Sequence, residues 1–273
     1  MPRSSPASPS PSAFSSSAPS RDSVVAALRA AGCVFAEDEA ELMSTAARTS
    51  QELMSLVDRR VTGLPLELVL GWAEFRGLRI AVAPGVFVPR RRTEFLVAEA
   101  LAQAPDAAVV VDLCCGSGAV GAALAAALDR PEVHAADVDP AAVRCALGNL
   151  ADAGGQVHTG DLFDALPDAL RGRVDILAAN VPYVPTGEVA LLPAEARDHE
   201  PLVALDGGAD GLDVLRRVAA EAPRWLAPGG CLLVETSERQ APAAVDAFAR
   251  AGLTPRLAVS EELYAHVVTG VAR

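Results

Sequence analysis

The chain has 273 residues and a formal net charge of −12, and all 23 of its basic residues are arginine. That length suits one full α/β domain plus a small extra one. An acidic balance is a poor match for bare duplex nucleic acid, where affinity comes from neutralising phosphates, and no apolar run approaches the ~18 residues of a membrane span.

Residues 1–20 are almost entirely Ser, Pro and Ala. Such a segment buries too little apolar area to offset its ordering entropy and reads as a disordered tail. Residues 21–73 read as a helical cap, with Val24, Val25, Leu28, Leu42, Leu53, Met54 and Val57 at roughly helical spacing. Turn signals at Arg76-Gly77 and Pro84-Gly85 place a β-hairpin linker over 74–92. The run Arg90-Arg91-Arg92 reads as a solvated face. The remaining residues, 93–273, form the main domain. Thr93 is expected to cap a helix. Strands are expected at Ala107–Leu113, Glu132–Asp137, Gln156–Thr159, Val174–Ala179, Cys231–Glu235, Arg256–Val259 and Ala265–Thr269. Helices fall between them at about Val120–Leu128, Ala141–Ala151, Leu212–Trp225 and Pro242–Ala251, the second capped by Asp139 with Pro140 at its first position. Strands alternating with helices imply a doubly wound α/β sheet.

Five cysteines, Cys33, Cys114, Cys115, Cys145 and Cys231, are odd in number and include no CxxC pair. This argues against a disulfide framework and a zinc site, and favours a reducing, cytoplasmic setting for a soluble protein with no metal. The adjacent Cys114 and Cys115 read as small packing residues beside a tight loop.

That loop is Asp112-Leu-Cys114-Cys115-Gly116-Ser117-Gly118-Ala-Val-Gly121, between a buried strand and a helix. Its glycines let a ligand approach the backbone closely. Gly116, Gly118 and Gly121 spell G-x-G-x-x-G, and Asp137 ends the next strand, so the pattern also fits a nicotinamide dinucleotide. Asp112 separates the two readings. A carboxylate here repels a pyrophosphate and attracts the ammonium and sulfonium of S-adenosyl-L-methionine, although it also suits a loop-bracing hydrogen bond.

The second feature is Asn180-Val181-Pro182-Tyr183, directly after the strand Val174–Ala179. Ligands in open α/β sheets bind beyond the carboxyl ends of strands. An amide or aromatic amino nitrogen is a poor nucleophile, so a site that methylates one must hold both N–H groups and aim the lone pair. The Asn180 side-chain carbonyl and the Val181 backbone carbonyl supply two acceptors. Pro182 holds Val181 extended, and Tyr183 can cover a planar group.

Together these residues resemble the protein-(glutamine-N5) methyltransferase family. Supporting stretches are Gly-Leu-Pro-Leu66, Leu70-Gly-Trp-Ala-Glu-Phe75, Val88-Pro89-Arg90 with Thr93-Glu94, and Glu200-Pro201 with Leu205-Asp-Gly-Gly208 and Asp210-Gly211. The resemblance implies a seven-stranded methyltransferase sheet with an N-terminal helical domain that docks a protein substrate. It implies that Cys114, Cys115, Gly116, Ser117, Gly118, Asp137, Asp161 and Leu162 line the cofactor pocket, and that Asn180 touches both cofactor and substrate. The implied acceptor is a glutamine amide in a protein such as a release factor. Val181 stands where the family has proline, and Cys114 where it has glycine. Adenine amino-methylation of nucleic acid and nicotinamide-dependent oxidation remain alternatives.

Overall fold

The computed structural model describes residues 19–273, so most of the expected tail at 1–20 lies outside the described residues. The chain divides into two compact units, the first ending at Gly63 and the second running from Leu64 to Arg273. The first unit packs three helices together, α1 (Arg21–Ala30), α2 (Ala36–Ala46) and α3 (Ser50–Val61). The hydroxyls of Ser20 and Thr49 accept the backbone N–H of Ser23 and Glu52, capping α1 and α3. Val24, Leu28, Ala40, Met43 and Val57 are buried, and Arg60 grips Glu39 through two hydrogen bonds of 2.7 and 3.1 Å.

The second unit opens with α4 (Leu66–Leu70) and the antiparallel hairpin β1 (Trp72–Phe75) and β2 (Leu78–Ala81). The hairpin is shorter than the expected 74–92, and the strand pairing stops at Ala81. Leu68, Ala73, Val82 and Val88 form one small apolar cluster, while Phe75 and Ile80 join the main core. That shared burial makes α4 and the hairpin part of the larger unit, so the division falls after Gly63 and not at the expected 73.

Next come α5 (Glu94–Gln103), β3 (Val109–Leu113), α6 (Ala119–Ala127), β4 (Glu132–Asp137), α7 (Pro140–Leu150), β5 (Gln156–Thr159) and β6 (Val174–Ala179). Then follow α8 (Ala194–His199), α9 (Leu202–Leu205), α10 (Asp213–Glu221), β7 (Leu226–Thr236), α11 (Ala241–Arg250), β8 (Thr254–Ser260) and β9 (Ala265–Val271). The main sheet has seven strands in the order β5-β4-β3-β6-β7-β9-β8, all parallel except that β9 runs antiparallel to both its neighbours. This is the expected α/β sheet.

Side chains alternate between two core layers, as the period of two along a strand requires. Val111, Leu113 and Leu177 face Trp225 and Phe248, while Val110 and Ile176 face Leu96 and Leu124. All five residues of β3 are buried, which explains why it is apolar throughout except at Asp112. Two expectations shift. Helix α10 stops at Glu221, short of Trp225, because Pro223 lacks the N–H that would continue it. Thr93 makes no capping hydrogen bond and points elsewhere.

The strand order reverses between β3 and β6, which is where open α/β sheets bind ligands. Leu113 pairs with Ala179, so Cys114 and Asn180 leave the sheet side by side.

Candidate active site

A cavity of about 670 Å³ opens at this reversal, lined by both expected motifs. That volume lies within the ~300–1,000 Å³ usual for small-molecule sites. The loop after β3 turns through left-handed backbone at Cys114 (φ 54°), Gly116 (φ 54°) and Gly118 (φ 78°). A Cβ on Gly118 would lie 3.0 Å from that of Ala146, so the glycine lets α6 start against α7. Both cysteines pack against the core as expected, Cys115 buried and Cys114 half-buried, and both line the cavity. Leu162 is the second non-glycine residue there with positive φ, at 50°. Such conformations cluster at binding sites, where surrounding structure holds the strain.

Two carboxylates organise the loop and a third lies on the cavity wall. Asp112, 1% exposed, accepts the Gly121 N–H at 2.9 Å and so braces the start of α6. Burial pushes its carboxyl up to about 8; the Gly121 hydrogen bond opposes this and the charge of Asp137 adds to it. Asp137 accepts the N–H of Gly116 and of Asp139, each at 2.9 Å, and burial raises its pKa as well. A carboxylate has about four lone-pair sites, so acceptor capacity remains for a diol. Asp161 pairs with Arg217 at 2.7 Å on the cavity wall. Asn149 on α7 adds a brace that the sequence did not reveal. Its amide donates to the carbonyls of Ser117 (2.8 Å) and Ala81 (2.9 Å) and accepts the Ala81 N–H (2.9 Å).

At the end of β6, the Asn180 amide nitrogen lies 3.5 Å from Thr93 Oγ1. Thr93 is buried, and this contact is the role it takes in place of capping. With Nδ2 turned to Thr93, neither Asn180 Oδ1 nor the Val181 carbonyl accepts a hydrogen bond among the described residues. The Val181 side chain is 1% exposed and belongs to the main core.

The stretch Leu205–Gly211 lies under this tetrapeptide. Val184 N–H donates to Leu205 and Gly207 N–H donates to Val184, at 2.9 and 2.8 Å. Gln240 donates to the carbonyls of Tyr183 and Asp210, both at 2.9 Å. A Cβ on Gly207 would sit 2.6 Å from the Pro182 carbonyl oxygen, and one on Gly211 would strike the Tyr183 carbonyl. The two glycines are therefore a packing requirement of the site.

The three consecutive arginines stay at least partly solvated, as expected, but two of them also reach buried carboxylates. Arg90 pairs with Glu200, and Arg92 pairs with Glu235 at 2.9 Å. Both carboxylates have side chains 2% exposed, and long side chains reach them from the surface. Arg90, Arg92 and Arg217, the cavity's basic residues, are thus already committed to acidic partners, and the buried ionisable group beside the glycine loop is Asp112. With no uncommitted cation for a pyrophosphate, the carboxyl oxygens of Asp112 and Asp137 suit an ammonium and a ribose diol as acceptors.

Comparisons with known proteins agree with this chemistry. Residues 77–194 match the family described as Methyltransferase small domain. The release factor glutamine methyltransferase of Geobacter sulfurreducens is 42% identical over 199 residues, covering 72% of this chain and 69% of that protein. The 4-amino-L-phenylalanine/4-methylamino-L-phenylalanine methyltransferase of Streptomyces pristinaespiralis is 39% identical, covering 71% and 68%. A crystal structure of a methyltransferase from Pyrococcus furiosus shares the fold, with a TM-score of 0.54 at 15% identity, over 72% of this chain and 89% of that one. With the sheet, the loop carboxylates and the Asn180 acceptor in place, the chain belongs to the release factor glutamine methyltransferase family and is an enzyme that uses S-adenosylmethionine.

Proposed function

We propose that the chain methylates the side-chain amide nitrogen of glutamine in a protein, and that a peptide chain release factor is its substrate. The observation that carries this reading is the pair of free acceptors at the carboxyl end of β6, Asn180 Oδ1 and the Val181 carbonyl. Each takes one N–H of the planar amide, which sets the nitrogen lone pair toward the cofactor side of the cavity. Bound there, S-adenosylmethionine supplies an electrophilic methyl group. Rate comes from orientation and fixed dipoles, with no side-chain nucleophile. Cys114, Cys115, Gly116, Ser117 and Gly118 form the backbone cradle for that cofactor, Asp137 binds its ribose, and Asp161 and Leu162 flank its base. We place the activity in the cytoplasm, on a protein partner and not on duplex nucleic acid or membrane.

Mass spectrometry after incubation with S-adenosylmethionine and a release factor tests the reading. A methyl group on a glutamine supports it. Methylation confined to an added nucleic-acid pool would sink it. The Streptomyces relative favours a second reading, a free aromatic amine acceptor, because that nitrogen is also planar and delocalised. Offering 4-amino-L-phenylalanine beside the release factor separates the two.

Asp112 gives this site a pH signature. The ligand's ammonium favours the ionised carboxyl, so binding below about pH 8 must expel the proton that burial holds there. Affinity for S-adenosylhomocysteine should rise as much as ~10-fold per unit between pH 6 and 8. The ligand-free protein should show the opposite trend. The raised pKa stabilises the fold below the ordinary carboxyl range, and that contribution is lost as pH rises through about 8. Calorimetry across this range checks the affinity; in Asp112→Asn it should be weak and flat with pH.

A further inference from the structure

Tyr183 is joined to two side chains from distant parts of the chain. Its hydroxyl donates to Glu235 Oε1 at 3.1 Å and accepts from Arg92 Nη2 at 2.6 Å, while Arg92 Nε donates to the same Glu235 oxygen at 2.9 Å. The three polar groups close a ring of hydrogen bonds. The Arg92 guanidinium carbon also lies 6.0 Å from the centre of the tyrosine ring. Glu235 is 1% exposed, and its second oxygen is buried without a partner. Its buried charge therefore rests on Arg92 and the phenol.

A phenol has one proton to donate, and here that proton is spent on Glu235. The ring cannot swing without breaking two hydrogen bonds and leaving the buried Glu235 carboxylate to Arg92 alone. Tyr183, Asn180, Phe87 and Arg90 all line the cavity. From this geometry we infer that Arg92 and Glu235 are positioning residues that fix the Tyr183 ring as one wall of the acceptor slot, so that Tyr183 selects the acceptor by contact of its ring and not through its hydroxyl. A rigid wall admits a flat group and holds it in the plane that Asn180 and Val181 address. Burial and the Glu235 charge both hold the phenol protonated, with Arg92 opposing them.

The inference rests on the glutamine reading for its kinetic arm alone. Its first test does not use turnover. The chain has two tyrosines, and the other, Tyr264, is 88% exposed. In Tyr264→Phe protein, ultraviolet titration reads Tyr183 by itself. Glu235→Gln should move its ionisation to lower pH; an unmoved curve overturns the locked ring. The second test uses Tyr183→Phe, Arg92→Lys and the double variant. Each single change should raise KM for the release factor ~10-fold, the worth of one charge-assisted hydrogen bond, with S-adenosylhomocysteine affinity unchanged. The double variant should be no worse than the weaker single, because both act through one hydroxyl. Fully additive losses, an unchanged KM, or an equal loss of cofactor affinity would refute positioning. If the parent enzyme methylates no glutamine, the acceptor assignment falls, and the titration still decides the lock.

Discussion

Asn180→Ala should lower kcat/KM for methyl transfer by at least ~100-fold, the usual cost of removing one fixed dipole from a reacting centre. S-adenosylhomocysteine should still bind within a few-fold of the parent, because the glycine loop, Asp112 and Asp137 are untouched. Register pairing of Leu113 with Ala179 places Asn180 next to the glycine loop, and Thr93 takes the amide nitrogen. The alanine variant removes the acceptor Oδ1 and changes little else, since Thr93 loses only a long contact of 3.5 Å. Steady-state kinetics with a release factor, paired with calorimetry, check both halves. Parent-like turnover would remove Asn180 from the chemistry and leave the Val181 carbonyl as sole acceptor.

Gly211→Ala should act at the same site from below. The new Cβ would strike the Tyr183 carbonyl and the Gln240 amide, at a position whose φ is already +77°. Strain and overpacking together cost ~2–4 kcal/mol of stability. Whatever relaxes must move the tetrapeptide, and a displacement near 1 Å is worth ~100-fold in rate. Gly252→Ala provides the control. Its φ is +84° and its Cβ would meet nothing within 4 Å, so it carries the backbone strain without the collision. Thermal unfolding and kinetics of both variants separate the terms. Equal losses in the two would mean that Gly211 serves its turn and not the site.

Much of this was legible in the sequence because it is local. The strands and helices of the sheet follow from apolar runs and turn residues a few positions apart. The Asp139 cap is visible in Asp139-Pro140, and its carboxylate does accept the Ala141 N–H. The glycine loop and the tetrapeptide announce themselves at strand ends. The supports of the site are different. Thr93 reaches Asn180 across 87 residues, Arg92 reaches Glu235 across 143, and Asn149 reaches Ala81 across 68. No spacing rule connects such pairs. The arginine run shows its solvated face in the sequence but not its partners, since nothing nearby marks two buried carboxylates. Residues 186–205 escaped because their short turns and helices, α8 and α9, carry little apolar periodicity. The hairpin is shorter than 74–92 because, of the two turn signals, only Arg76-Gly77 joins paired strands, and Pro84-Gly85 lies beyond them.

The Asn149 bracket has a consequence for how ligand occupancy spreads through the second unit. One amide side chain holds the Ser117 carbonyl of the cofactor loop and both backbone groups of Ala81, at the end of the hairpin. Loop and hairpin edge are therefore fastened to the same turn of α7. Ordering of the loop by a bound ligand cannot stay local, because the motion of Asn149 that frees the Ala81 amide also frees the Ser117 carbonyl. In hydrogen–deuterium exchange, cofactor protection should extend to the Ala81 amide, outside the glycine motif, and Asn149→Ala should confine it to the loop. The hairpin, which contributes no acceptor or donor to the transfer itself, then serves as a remote gauge of whether the cofactor site is filled.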